Sequence, residues 1–478
     1  MVTRTDEQWL AYLIKCHDKD LPELKRLDSF YEGKQPLSYM APELQAEMEE
    51  QVRQVVINWP RLVVDSLEER LDVEGFRLPN HAQADDELWR IWQANDMDEQ
   101  SQQGHLDALV MGRAYVVIGS RKDDPTTPLV TLESPLDMYA DFDPQTRTVR
   151  AAVKRYCETD AEGQEIDYAA LYLPDATSWW VKEQGAWKLN PDHEKDEHNL
   201  GEVMVEVLVN RPRLKNRKGV SELADVIPLS DAACKQATDM MVTAEYHATP
   251  RRVAFGFGEE DFVDASGRKV SAFSRVIGRI WATEKNRKTG QDGDGADVLQ
   301  FPEASLTNFH ESIKLLAQLV ASLAGLPPHF LGQATDNPAS ADGIRSSETR
   351  LVKRAERRQR TNGGTWERVN RKIMRLRDGS WNPDARSMET IWRDASTPTI
   401  AQSADAAVKK HAAGIVPLRQ TREDLRYTQA QIERMEEQDE KDAQDAMRRI
   451  MSGDLAALEA GAKPTDPAPE PDDELVAA

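Results

Sequence analysis

Apolar residues recur at alternating steps of three and four positions between residues 305 and 325. They are Leu306, Phe309, Ile313, Leu316, Val320 and Leu323. This spacing predicts a helix with one narrow apolar seam. Ser305 is a suitable N-terminal cap, while Gly325, Pro327 and Pro328 predict where the helix ends.

A polar loop and a long basic helix are predicted next. The loop at residues 332–340 has no apolar anchor, and no proline occurs in residues 341–377. Twelve Lys or Arg residues but only three Glu lie in residues 345–377. A long helix that is polar on most sides bridges solvent or a neighbouring subunit. Gly363 and Gly364 each cost about 1 kcal/mol inside a helix, so a hinge is predicted there.

Helices and strands are predicted in separate blocks. Helical stripes precede Gly33 and Gly112, and Asn58-Trp59-Pro60 predicts a helix entry. From Ala114 the period changes to that of short strands, in AYVVIG, PLVTLE, VRAAVKRY, DYAALYLP, SWWVKE and VMVEVLVN. Blocks of helices followed by blocks of strands favour an α+β fold, mostly helical, over a parallel doubly wound sheet.

The remaining stretches predict further helices and short strands. Residues 223–246 are predicted to form an Ala-rich helix, whose small side chains either permit close approach of another helix or belong to an ordinary helix. RRVAFGF, RVIGRIWAT and SMETIWRD are strand-like. Residues 403–413 and 418–451 are predicted helices, and the Pro-rich acidic end is predicted to be disordered.

Charge limits the class of function. The 478 residues contain 83 acidic and 61 basic side chains, for a net charge of −22. Because neutralisation of phosphates drives tight nucleic-acid binding, this charge disfavours nucleic acid as a tightly held ligand, though not as a passing one. No apolar run reaches 18 residues and no signal-peptide core is visible, so no membrane association is expected. Cys16, Cys157 and Cys234 are far apart, as in reduced cytoplasmic thiols.

No motif for catalysis, a metal or a cofactor stands out. The chain has no phosphate-binding loop, and the two histidines of HEKDEH are five positions apart, which does not suit a zinc pair on a helix. The loop starting at Asp292 resembles a calcium loop but lacks its glycine, so a solvated loop is favoured and a weak ion site stays open. The basic run at residues 354–360 suits either phosphate contacts or pairing with acidic groups, and the net charge favours pairing.

Two stretches resemble one known family. They are LVASLAGLPPHFLGQATDNPASADGIRSSETRLVKRAERRQ and NRPRLKNRKGVSELADVIPLSDAACKQATDMMVTAEYHATPRR. Both are similar to the Gp6-like portal proteins of tailed siphophages and actinophages. Weaker similarity, at FYEGKQPLSYM, VVINWPRLVVDSLEERLDVEGF and HLDALVMGRAYVVIG, extends the resemblance over most of residues 20–450.

The resemblance implies a portal fold with a wing, a stem, a clip and a crown. The implied regions are a wing at 1–222, a first stem helix at 223–246, a clip at 247–302, a second stem helix and turn at 303–333, a tunnel loop at 334–341, a long kinked helix returning to the wing at 342–400, a helical crown at 401–460 and a disordered acidic tail at 461–478.

The resemblance also implies particular site residues. The apolar seam becomes the stem seam, and Gly363 and Gly364 become the hinge of the kinked helix. The implied tunnel loop facing DNA consists of Thr335, Asp336, Asn337, Pro338, Ala339 and Ser340. Candidate clip contacts are Lys285, Arg287 and Lys288.

The implied function is that of a channel without enzymatic activity. The expected homo-oligomer is a ring of twelve subunits at one capsid vertex of the virion, assembled in the host cytoplasm, through which double-stranded DNA is packaged and ejected. Its expected partners are the terminase large subunit, a head–tail adaptor, and the major capsid and scaffolding proteins, with DNA bound weakly. The alternative is a DNA-processing enzyme, or a subunit of one, whose active site no motif marks.

Overall fold

The structure of the chain is a computed structural model. It describes residues 4–36, 55–79, 81, 84–121, 123–160, 162–247, 252–255, 297–300, 305–332, 341–396, 400–425, 427 and 429–451. Two compact units are present, Met1–Ser396 and Thr397–Ala478. The first contains both helices and antiparallel sheets, which confirms the predicted α+β class.

The first unit begins with two helices whose ends follow their capping residues. Helix α1 (Asp6–Glu32) starts after Thr5, whose hydroxyl accepts a hydrogen bond from the amide of Gln8. It ends at Gly33, whose φ of 69° is a left-handed conformation that glycine adopts without strain. Helix α2 (Trp59–Glu68) is capped by the side chain of Asn58, which confirms the predicted entry.

Helices α3 (Asp86–Ala94) and α4 (Met97–Met111) lead into the sheets. The strands of this part are β1 (Val73–Arg77), β2 (Arg113–Gly119), β3 (Leu129–Glu133), β4 (Met138–Phe142), β5 (Val149–Thr159), β6 (Glu165–Tyr172), β7 (Thr177–Glu183), β8 (Ala186–Leu189) and β9 (Val205–Val209). The six predicted strands in this part are confirmed. Strands β1, β4 and β8 were not predicted, because a run of four or five residues carries only a weak pattern.

These strands form two antiparallel sheets. One has the order β3–β2–β9, and the other is the meander β4–β5–β6–β7–β8. Apolar side chains between the sheets, among them Tyr115, Met138 and Val205, are buried together. The first half of α1 covers the meander with Leu10 and Leu13. The meander therefore packs against the other sheet on one face and against the N-terminal helix on the other.

Two helices predicted as the stem pack against each other. They are α5 (Ile227–His247) and α6 (Thr307–Ala324). The prediction that Ser305 caps α6 is wrong, because Leu306 occupies the cap position in a helical conformation and has no side-chain cap bond. Between these helices, β10 (Arg252–Phe255) pairs antiparallel with β11 (Asp297–Gln300). The strand that follows α5 and the strand that precedes α6 therefore lie side by side in opposite directions.

The long basic helix is α7 (Ala341–Asp378), which is continuous over 38 residues. Strand β12 (Glu389–Trp392) follows it and pairs antiparallel with β1, with Phe76 opposite Thr390. The prediction of a returning strand at SMETIWRD is therefore confirmed. Buried Leu351 and Ala355 of α7 share one core with α2, α4 and the adjoining ends of α5 and α6. Trp366 and Ile373 share a second core with α3, β2 and β9.

The described part of the second unit is helical. It contains α8 (Ile400–Ala412), α9 (Leu418–Asp424) and α10 (Gln429–Met451). The prediction of one helix over residues 418–451 is wrong. Arg419 lies 2.9 Å from Glu436, 17 positions along the chain, whereas one straight helix would separate them by roughly 25 Å. Helices α9 and α10 therefore fold back on each other.

Candidate assembly surface

The predicted seam of α6 is only partly buried in the subunit, and its fully buried residue lies in the C-terminal part of the helix. Val320 is fully buried in the first core, and Leu326 just after the helix is also buried. The seam residues Leu306, Phe309, Ile313 and Leu316 are half-buried. Leu323, which ends the seam, is 53% exposed. The base of α6 is thus fixed to the core, while the rest of the seam remains accessible in the subunit.

A second apolar row on α6 was missed from the sequence. Leu315, Leu319 and Leu323 follow one another at steps of four and are 56%, 44% and 53% exposed. Large apolar side chains exposed in a row on a soluble protein mark a contact surface. The spacing of four was visible in the sequence, but only the packing of α6 against α5 decides which row faces outward.

Helix α7 is fixed to the rest of the first unit by buried ion pairs. The side chain of Glu222, which is fully buried, accepts hydrogen bonds from Arg354, at 2.5 Å, and from Arg358. Burial on its own raises the pKa of Glu222, but the attraction of Arg358 and Arg354 outweighs burial and lowers the pKa below its usual range. Glu222 therefore carries a full negative charge that holds two arginines.

A second carboxylate holds the C-terminal half of α7. Glu206 on β9 lies 2.8 Å from Arg368 and 2.7 Å from Lys372. The ammonium group of Lys372 also donates to the carbonyl oxygens of Val203 and Val205. These four basic residues of α7 therefore serve to position the helix within the subunit.

The predicted hinge glycines differ in their surroundings. A Cβ at Gly363 would lie 3.1 Å from the indole nitrogen of Trp392, and the hydroxyl of Thr390 donates to the Gly363 carbonyl. A Cβ at Gly364 would meet only the end of the Arg368 side chain, at 3.7 Å. Gly363 therefore allows close approach of β12 to α7, and bending at this point remains a prediction.

A buried histidine links α4 to α7 beside these glycines. The indole N–H of Trp366 donates to Nε2 of His105 at 3.0 Å. Burial lowers the pKa of His105 to about 3, so the ring is neutral at physiological pH. The two residues are 261 positions apart, and no local pattern in the sequence could have indicated this contact.

Several predicted site residues lie outside the described residues. They are the tunnel-loop residues Thr335, Asp336, Asn337, Pro338, Ala339 and Ser340, the clip contacts Lys285, Arg287 and Lys288, the loop at Asp292 and the acidic tail at 461–478.

The described part of the chain brings together no set of metal ligands. There, no group of three or more His, Cys, Asp and Glu side chains is placed to hold a metal ion. His193 of the HEKDEH stretch packs on the ring of Trp179, 5.7 Å between centroids. None of the described helices has the length and apolar character needed to cross a bilayer.

The chain is similar to known proteins over most of its length. The family described as "Phage portal protein, SPP1 Gp6-like" matches residues 10–445. The portal protein of Mycobacterium phage D29 is 38% identical over 442 residues, which cover 90% of this chain and 88% of the relative. That of Mycobacterium phage L5 is 36% identical over 442 residues, with the same coverage of 90% and 88%.

Solved structures give weaker similarities. A chain of the virion of a native gene transfer agent particle has a TM-score of 0.40 at 15% identity, covering 86% of this chain and 94% of that chain. A chain of the neck of an empty particle of this kind has a TM-score of 0.45 at 14% identity, covering 84% and 98%. The family match and the two phage relatives cover most of this chain, and the matched region also covers most of each relative. The chain therefore belongs to the phage portal protein family, SPP1 Gp6-like, whose role is that of the channel at one capsid vertex.

Proposed function

We propose that twelve copies of this chain form a closed ring at one vertex of the capsid, and that double-stranded DNA is packaged and ejected through its bore. The observation that carries the proposal is the exposed row Leu315, Leu319 and Leu323 on α6. A ring of identical head-to-tail contacts needs surface that is exposed in one subunit and covered by the next. Covering three half-exposed leucines stabilises each contact by about 3 kcal/mol.

The stem of the ring consists of α5 and α6 in this proposal. These helices pack on each other and join the first core at one end, through Val320 and Ile227. The antiparallel pairing of β10 with β11 brings the two ends of the segment at 247–302 together, as expected of an insertion between two stem helices. We assign this segment to the clip, with Lys285, Arg287 and Lys288 as contacts for the terminase large subunit and the head–tail adaptor.

The tunnel loop at Thr335 to Ser340 and the wing complete the assignment. The loop is polar with a single charged residue, Asp336, which suits a surface that touches DNA without holding it. The wing at 1–222 provides the face toward the major capsid and scaffolding proteins. Assembly takes place in the host cytoplasm, and the finished ring is a virion component.

Charge supports weak contact with DNA. Each chain carries a net charge of −22, and a ring of twelve concentrates this charge around one bore. Repulsion of the duplex extends over a Debye length of about 8 Å at physiological salt. The four basic residues of α7 that hold Glu222 and Glu206 are paired within the subunit, where the two carboxylates offset half of their positive charge.

Negative-stain electron microscopy of the purified chain tests the proposal. We expect rings with a central hole, and a mass by light scattering of about 650 kDa for twelve chains of 53.9 kDa. The variant Leu319→Asp is the matched perturbation, because it places a charge in the row without touching the buried end of α6. A wild-type protein that stays monomeric at all accessible concentrations contradicts the proposal.

A further inference from the structure

A basic cleft lies beside α7, on the side of the helix that faces the loop after β9. Its volume is about 890 Å³, and eight Arg or Lys side chains line it, against the two carboxylates of Glu222 and Asp225. Both carboxylates are already paired, Glu222 with Arg354 and Arg358 and Asp225 with Arg211 at 3.2 Å. Of the other basic residues, Lys353 pairs with Glu356 at 2.6 Å. The cleft therefore carries a surplus of positive charge that the described residues of the subunit do not neutralise.

The surplus resides in exposed side chains. Arg213, Arg357 and Arg360 are exposed, and no carboxylate among the described residues lies within ion-pair distance of them. Arg350 donates to the carbonyl oxygen of Ser322, an uncharged acceptor. The whole chain, however, carries a surplus of 22 negative charges. Acidic groups that match the cleft are therefore plentiful on a second copy of the same chain.

Apolar side chains at the cleft favour a protein partner over nucleic acid. Leu323, the end of the exposed row on α6, lines the cleft, and Leu214 on the facing loop is 86% exposed. The phosphate backbone of a nucleic acid can pair with arginines, but it cannot bury leucine side chains. A protein surface that carries carboxylates can pair with the arginines and also bury the leucines. The cleft and the row Leu315, Leu319 and Leu323 form one continuous surface for such a partner.

A complementary acidic patch lies at the C-terminal end of α2. Asp65 pairs with Arg61 and Asp72 with Arg393, but Glu68 and Glu69 have no ion-pair partner among the described residues. Burial, together with the neighbouring charges of Asp72, Asp65 and Glu69, raises the pKa of Glu68 to about 7. With this pKa, Glu68 is about half ionised at neutral pH, and a cation that pairs with it favours its charged form.

The patch and the cleft lie on different sides of α7. Helix α2 packs against α7 in the core that contains Leu351 and Ala355, and the amide of Gln359 donates to the carbonyl oxygen of Arg70. At 100° per residue these positions are turned away from Arg350, Arg354 and Arg357, which line the cleft. A head-to-tail ring needs two different complementary surfaces on separate sides of each subunit.

We infer that the basic cleft of one copy binds the acidic end of α2, at Glu68 and Glu69, of the next copy around the ring. The inference rests on the proposed ring and names the charged half of its repeating contact. The exposed leucine row supplies the apolar half beside it. Because the pairs are formed near the surface, the contact weakens as salt rises.

Charge reversal tests the inference. The variant Arg357→Glu/Arg360→Glu removes two positive charges from the cleft and adds two negative ones, at exposed helix positions where the fold should stay intact. We expect rings to be lost and monomers to remain, by light scattering and electron microscopy at about 0.15 M salt. Combining it with Glu68→Lys/Glu69→Lys in the same chain restores the opposite charges, and rings return. Circular dichroism and the melting temperature verify that each subunit is folded.

A control variant and a DNA titration separate the outcomes. Lys15→Glu/Lys25→Glu on α1 changes the charge equally at exposed helix positions, and rings persist. Rings that persist in the cleft variant overturn the inference while the proposed function stands, and loss of duplex binding in those rings assigns the cleft to nucleic acid. Failure of the α2 exchange in a folded chain to restore rings overturns the pairing. A wild-type chain that never forms rings overturns the proposed function as well.

Discussion

Removing the carboxylate of Glu222 is the sharpest test of how α7 is held. This side chain is fully buried, whereas Arg354 and Arg358 are 16% and 11% exposed. Asn210 also donates to Glu222, at 3.0 Å. In Glu222→Ala the two guanidinium groups stay close together in a buried site and lose their shared counter-charge.

The expected cost follows from desolvation. Breaking a buried ion pair by removing one partner costs about 3–5 kcal/mol, since the remaining charge is left without compensation. Glu222→Gln keeps an oxygen acceptor but removes the charge, so we expect a loss of about 2 kcal/mol. Replacing all three residues, as Glu222→Leu/Arg354→Met/Arg358→Leu, removes the buried charges together. The free energy of unfolding of that variant should lie within about 1 kcal/mol of wild type or above it.

Urea unfolding followed by tryptophan fluorescence measures these differences. Trp366 on α7 is fully buried and reports the release of the helix. All variants are compared at equal protein concentration, because assembly changes the apparent stability. A loss below about 1 kcal/mol in Glu222→Ala refutes the reasoning, as does a triple variant less stable than Glu222→Ala.

The same site predicts a dependence on pH. The pKa of Glu222 in the folded chain is lowered from its ordinary value of 4.5. A carboxyl group with a lowered pKa stabilises the fold fully above its unfolded pKa and loses that contribution as the pH falls through the folded value. The difference between wild type and Glu222→Gln should therefore be constant above about pH 5 and shrink below about pH 4.

The other predictions concern the glycines, the leucine row, the loop and DNA. Gly364→Ala should raise the free energy of unfolding by about 1 kcal/mol, and Gly363→Ala should not, because its Cβ would press on Trp392; equal gains in urea unfolding contradict this. Leu319→Asp should abolish rings in size-exclusion chromatography while the melting temperature of the subunit is kept, since Leu319 is 44% exposed. Deleting residues 336–340 should leave rings intact in micrographs and reduce packaged DNA, and loss of rings would make the loop structural. Labelled duplex should bind wild-type rings weakly at about 0.15 M salt, and tight binding with a steep salt slope argues against this.

Local patterns in the sequence determined most of the elements. Short β-rich runs broken by Pro, Gly and Asp placed β2, β5 and β6, and helical spacing placed α6 and α7. The ends of helices were also determined by local sequence, because Gly33 and Gly325 both adopt the positive φ that ends a helix. Short strands and the start of α6 were predicted wrongly or not at all, since few residues carry the signal.

The meaning of the basic run at residues 354–360 could not be read from the sequence. From the sequence, these arginines could either contact phosphates or pair with acidic side chains. In the fold, Arg354 and Arg358 meet Glu222, more than 130 positions away, while Arg357 and Arg360 on the same helix are exposed. Neighbouring arginines differ because each residue turns by 100° around the axis, and only packing decides which direction is inside.

The candidate contact surfaces were likewise decided by tertiary structure. The seam and the row at Leu315, Leu319 and Leu323 both have a spacing typical of one helix face, and α5 together with the core determines which of them is covered. Gly363 was predicted as a hinge from its helix propensity alone, but the return of β12 places Trp392 against it. Local propensity acts over a few residues, whereas burial and charge pairing depend on segments brought together from distant parts of the chain.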